Sequence, residues 1–156
     1  MLASPQNAMS QQKSLKEQLI GTWTLVSWEL RNADGTTSQY FGTNPTGIAF
    51  FDAGGHYILT AMRRDRPKYS IEHFGQITQV TAEESRATVQ GTMTYFGTYT
   101  VSESDRRIAV HVEASSFPNW NGTDQDRFFE IIGDQLRLIV HPPQGGTAHV
   151  LWTRLN

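Results

Sequence analysis

Arg107-Ile108-Ala109-Val110-His111-Val112-Glu113-Ala114 alternates with a period of two: Ile108, Val110 and Val112 share one face, and Arg107, His111 and Glu113 share the other. That is a β-strand with one face toward a core. Outward from it, from Gly21 onward, the chain is a series of short runs rich in β-branched and aromatic residues. Asp34-Gly35, Asp52-Ala53-Gly54-Gly55, Asn121-Gly122, Gly133-Asp134 and Gly145-Gly146 separate the runs and supply the backbone freedom of tight hairpins. Strands are predicted at 21–31, 46–52, 56–63, 95–103, 107–115, 124–132, 135–141 and 147–155. About eight strands are what a closed barrel needs to hold one small ligand. In Trp23-Thr24-Leu25-Val26-Ser27-Trp28 apolar residues fall on both faces, which implies a covered outer wall or an apolar-lined interior.

One segment departs from the β pattern. Thr81-Ala82-Glu83-Glu84 has the spacing of a capping box and predicts a helix over 82–93, with Val89 and Met93 one turn apart and toward the barrel. A shorter helix at 15–20 leads into the first strand. Residues 1–13 are polar and read as a flexible tail, which leaves 14–156 as the barrel domain.

Composition narrows the function classes. The 156 residues carry a net charge of -2, which gives no electrostatic reason to expect nucleic acid or an anionic membrane as partner. With no cysteine, disulfides, thiolate chemistry and cysteine-ligated metal sites are excluded. No apolar run approaches the roughly 20 residues that span a bilayer, so a soluble chain is expected. Its compartment is open between the cytoplasm and, if a leader was removed, the periplasm or exterior. The five histidines, at 56, 73, 111, 141 and 149, show no metal-ligand spacing, and no phosphate or dinucleotide fingerprint occurs, so neither a metal nor another cofactor is expected.

Gly21-Thr22-Trp23, after a short helical turn, resembles the G-x-W signature at the start of lipocalin and wider calycin barrels. Such barrels close by laying an arginine from the end of the chain over that tryptophan, so the resemblance implies a pairing of Trp23 with Arg154. Further segments are similar to a lipocalin-like domain family of small, mostly bacterial and fungal proteins. They are Gly21 to Glu29, Phe41-Gly42-Thr43-Asn44-Pro45-Thr46-Gly47, Tyr95-Phe96-Gly97-Thr98-Tyr99-Thr100-Val101 and His111 to Trp120, followed by Gly122-Thr123-Asp124-Gln125 and Arg127. The resemblance runs from about Leu19 to Arg154. It implies an all-β, up-and-down antiparallel calycin barrel with a ligand pocket, but no single activity. The chain lacks the cysteines of the better-known secreted lipocalins, and Gly122-Thr123-Asp124 only faintly echoes their second motif.

Several residues carry candidate chemistry. His111 and Glu113 lie about 7 Å apart along one strand face, close enough to serve as a proton-transfer base and its orienting partner. They equally fit a satisfied polar pair or a solvent-facing stripe beside Arg107. Arg127 shares a face with Phe129 and Ile131, so a barrel wall sets a guanidinium among apolar groups, and such a cation needs Glu113 or a ligand oxygen as its anion. Phe117, Asn119 and Trp120 occupy a loop that either covers a pocket mouth or anchors to the barrel end. Tyr57, Tyr69, Tyr95 and Tyr99 offer hydroxyls for a cavity, and Tyr99, mid-strand in one of the similar segments, is the first candidate among them. The basic run Arg63-Arg64-Asp65-Arg66-Pro67-Lys68 is a solvated loop, or attracts an anionic ligand head. Two function classes follow: binding of a small apolar, amphipathic or aromatic molecule, with Arg127, His111 and Tyr99 as polar contacts, or an isomerase, cyclase or hydro-lyase using His111 and Glu113. A barrel filled by its own side chains is the third reading.

Overall fold

The computed structural model describes residues 11–156. Residues 1–10 of the expected tail lie outside them. The elements in chain order are α1 (Leu15–Leu19), β1 (Gly21–Arg31), β2 (Thr37–Ser38), β3 (Thr46–Phe51), β4 (His56–Met62), α2 (Ala82–Gln90), β5 (Thr92–Ser102), β6 (Arg107–Ser115), β7 (Asp124–Ile132), β8 (Gln135–Val140) and β9 (Thr147–Arg154). Leaving aside the two-residue β2, eight strands pair antiparallel with their sequence neighbours, and β1 pairs with β9 to close the sheet. This is the up-and-down barrel that the family resemblance implies, with the eight strands predicted from the run and turn pattern.

The barrel has two unlike ends. At one, short turns join β3 to β4, β5 to β6 and β7 to β8, and α1 packs beneath them. Ser14 caps α1 in a capping box, and the Glu103 carboxylate, one residue past β5, accepts hydrogen bonds from the Leu15 and Lys16 N–H groups at 3.0 and 3.2 Å. Leu19 is fully buried there. At the other end, the longer connections 32–45, 63–91 and 116–123 form a rim.

The helix within the 63–91 connection is shorter than predicted. Thr81 and Glu84 form the expected capping box, but α2 stops at Gln90 and Met93 belongs to β5. Gly91, a poor helix former, sits at the C-cap, and the β-prone Thr92-Met93-Thr94-Tyr95 run continues as strand. Val89 consequently points to solvent rather than to the barrel, being 75% exposed.

A bulge explains the two-sided apolar pattern of β1. The pairing with β9 skips Val26, passing from Leu25 opposite Trp152 to Ser27 opposite Leu151. The extra residue resets the alternation, so Trp23, Leu25, Trp28 and Leu30 all pack inward while Val26 faces out. A second irregularity lies between β5 and β6, where Glu113 is the skipped residue between Phe96 opposite Ala114 and Gly97 opposite Val112. Gly97 makes that approach feasible, since a Cβ there would stand 1.9 Å from the His111 carbonyl oxygen.

Candidate ligand-binding site

The period-two rule sends Tyr57, Leu59 and Ala61 of β4, Tyr95 and Tyr99 of β5, Ile108, Val110 and Val112 of β6, and Arg127 and Phe129 of β7 to the inside of the barrel. The rings among them form a continuous column. From the closed end to the rim it runs Tyr99 to Phe51 (5.2 Å, edge-on), Phe51 to Tyr57 (6.2 Å, stacked), Tyr57 to Tyr95 (5.7 Å, edge-on), Tyr95 to Trp120 (5.4 Å, edge-on) and Trp120 to Phe117 (5.9 Å, edge-on). Edge-to-face contacts of this spacing add about 0.5–1.5 kcal/mol each beyond burial. Trp120 is half-buried at the rim and Phe117 exposed, so the column ends where solvent begins.

Arg127 is the one buried charged side chain among the described residues, 7% exposed. Its Nη1 donates to the Asp126 carbonyl at 3.0 Å and its Nη2 to the Gln125 Oε1, while the guanidinium carbon lies 5.9 Å from the centre of the Trp120 ring. Gln125 is itself tied down. Its Nε2 donates to Thr123 Oγ1 at 3.0 Å, and that hydroxyl donates to the Trp120 carbonyl at 2.7 Å. Among the described residues every acceptor of Arg127 is therefore neutral, and no carboxylate pairs with it. Close by, the Tyr57 hydroxyl is buried without any hydrogen-bond partner. Burial, reinforced by Tyr95, pushes its ionisation far above the usual phenol range, with Arg127 near enough to oppose the shift.

The other candidates are placed differently. His111 and Glu113 stand on the outer wall, exposed to solvent, and do not converge with Arg127. The reason is parity: Ile108, Val110 and Val112 fill the inside, so His111 and Glu113 must face away, and Arg127 is inward on the neighbouring strand. The His111 Nδ1 instead lies 2.8 Å from Asp124 Oδ1, its cross-strand partner. Neither the proton-transfer geometry nor the expected Glu113–Arg127 pair is present inside the barrel. Tyr99 is inward, but its hydroxyl is already spent on the Asp52 carbonyl at 2.6 Å, at the closed end. Asn119 is exposed in the rim loop.

Gln125 is missing from the sequence-based set, and Tyr57, one of its four candidate tyrosines, rather than Tyr99 is the one with the unpartnered hydroxyl. The alternation Tyr57-Leu59-Ala61 and the spacing Gln125-Arg127-Phe129 were the available signals. The basic run 63–68 lies outside the barrel. There Arg63 forms a two-pronged pair with Asp65 at 2.8 and 2.7 Å, and Arg66 donates to the Arg63 carbonyl and Thr92 Oγ1, both at 3.0 Å. An open hollow of about 680 Å³ is bordered there by Tyr40, Arg63, Arg66 and Gln90, and another of about 500 Å³ by Tyr69, Phe74 and Ile77. Neither touches Arg127. No cluster of metal-ligating side chains and no helix long and apolar enough to cross a membrane occurs among the described residues.

The closure is formed as the two chain segments meet. Trp23 is fully buried, its Nε1 donates to the Leu19 carbonyl at 2.9 Å, and the Arg154 guanidinium lies 4.1 Å from the centre of its ring. Arg154 also donates to the carbonyls of Ile20 and Gln18, which clamps α1 to the start of β1.

Known proteins share parts of this design. A 4'-hydroxy-3'-methoxypropiophenone carrier protein of Aspergillus oryzae is 38% identical over 88 residues, covering 52% of this chain and 77% of that protein. Among solved structures, a redesigned β-barrel aligns over 92% of this chain and 100% of its own at 15% identity with a TM-score of 0.46. A mutant of the fluorescent protein UnaG aligns over 88% and 96% at 11% identity with a TM-score of 0.41. The family model described as a lipocalin-like domain matches residues 20–154, nearly the whole barrel from the end of α1 to the closing arginine, and the chain belongs to that family.

Proposed function

We propose that the protein is a carrier that holds a small aromatic molecule inside the barrel, between the ring column and Arg127. The observation that carries this reading is the pairing of an incompletely partnered buried guanidinium with an orphan buried hydroxyl. A buried polar group without a partner costs about 1–3 kcal/mol, and a charge more, so a site with both is built for an occupant that supplies the missing acceptor. Apolar and aromatic walls with a few fixed polar groups are the usual make-up of a small-molecule site. Trp120 and Phe117 then form its mouth. A similar protein named as carrier of a phenolic aryl ketone supports an aromatic occupant.

Native mass spectrometry of the purified full chain tests the proposal. A retained or added small aromatic should appear as one equivalent per barrel, with Trp120→Ala weakening its retention. A barrel that takes up no aromatic compound from a panel, in the native state, would reject the proposal.

A further inference from the structure

Resting on interior binding, we infer that the occupant is an aromatic oxyanion, its charged oxygen seated between the Arg127 guanidinium and the Tyr57 hydroxyl. Among the described residues, the side chains tied to this point by ring contact, hydrogen bond or strand pairing include no acidic one. They are Tyr57 of β4, Tyr95 of β5, Ile108 of β6, Gln125 of β7 and Trp120 of the rim loop. The acidic residues of the same strands face elsewhere: Asp126 pairs with Arg107 at 3.1 Å, Asp124 with His111, Glu130 with Arg137 at 3.1 Å, and Glu113 is exposed. Among the described residues no carboxylate neutralises Arg127, and the buried Tyr57 hydroxyl, joined to it through the Tyr95 and Trp120 rings, is a second donor without an acceptor. A neutral hydroxyl or carbonyl oxygen can accept from these donors but leaves the guanidinium charge unbalanced, whereas an oxyanion satisfies both groups with charge-assisted hydrogen bonds. The ring column selects a flat aromatic body for that oxygen. A carboxylate and a phenolate acidified by a para electron-withdrawing group share this chemistry.

Two matched probe pairs test the inference on the full chain: 4-nitrophenol against 4-nitroanisole, and cinnamate against cinnamamide. In each pair the anion should bind at least tenfold tighter than its neutral counterpart, the scale of a charge-assisted hydrogen bond. The absorbance of 4-nitrophenol should show its ionisation midpoint moved down by about one pH unit when bound, the linked consequence of that tenfold preference. Arg127→Met should erase both preferences, Arg127→Lys should keep part of them, and Tyr57→Phe, which removes a single oxygen, should reduce them several-fold without disturbing the fold. The larger preference, carboxylate or phenolate, identifies the source of the oxygen. Equal binding of anion and neutral partner, or an anion preference that survives Arg127→Met, overturns the inference while leaving interior binding intact. Failure of all four probes, neutral ones included, overturns both.

Discussion

The two faces of β6 and β7 handle charge in opposite ways. On the outer face partners meet in water: the Arg107 guanidinium lies 3.1 Å from the Asp126 carboxylate and the His111 ring 2.8 Å from that of Asp124. On the inner face, one residue along the same strand, Arg127 is buried with neutral acceptors and an orphan tyrosine hydroxyl nearby. Exposed pairs contribute about 0–1 kcal/mol, because water already solvates both partners. A buried cation is different. It has given up that solvation and keeps a cost until an anion joins it. The outer pairs dress a surface, while the inner arginine is an unfinished interaction.

Four substitutions break or sharpen that contrast, in decreasing order of effect. Gly97→Ala attacks the bulge at which Glu113 is skipped, so that Glu113 and Ala114 follow one another on the outer side of β6. With 1.9 Å available at the His111 carbonyl oxygen, it should cost about 3 kcal/mol or more, read from the urea midpoint. Arg154→Met removes a cation that, unlike Arg127, has found its partners in the Trp23 ring and two carbonyls, and about 2 kcal/mol should be lost in the same measurement. Arg127→Met should move stability the other way, by about +1 kcal/mol, because an uncompensated buried charge is exchanged for an apolar side chain. A melting temperature raised together with lost anion binding is the expected joint signature. His111→Ala should stay within about 0.5 kcal/mol, in low salt and in high. A larger loss would show that the outer pair does more than dress the surface.

Much of this was legible because barrel strands write their faces in alternation. The runs 107–115 and 124–132 coincide with β6 and β7, and Arg127 sits on the inward face with Phe129, as period two requires. The same rule carried a warning about His111, since a residue between Val110 and Val112 cannot share an interior with Arg127. What period two does not write is where it is interrupted. The bulge at Val26 turns Trp23 and Trp28 inward together although they are five positions apart, and only pairing with β9 reveals it. Nor does it tell which inward tyrosine has a free hydroxyl. Tyr99 and Tyr57 are both inward, but the turn after β3 brings the Asp52 carbonyl to Tyr99 and leaves Tyr57 without a partner, a fact of tertiary geometry. Helix length failed for a local reason, the strand-forming threonines after Gly91.

The ring column has an optical consequence. Tyr99, Tyr57 and Tyr95 stand in a file whose last neighbour is Trp120, each step bridged by contacts of 5–6 Å through Phe51 and the rings themselves. Light absorbed by a tyrosine at the closed end has an acceptor indole at the rim. Trp120, with Trp23 and Trp152 of the same core, thus collects excitation from these tyrosines, and a conjugated guest lying beside the file would intercept it, so that filling the barrel would lower the protein's own ultraviolet emission.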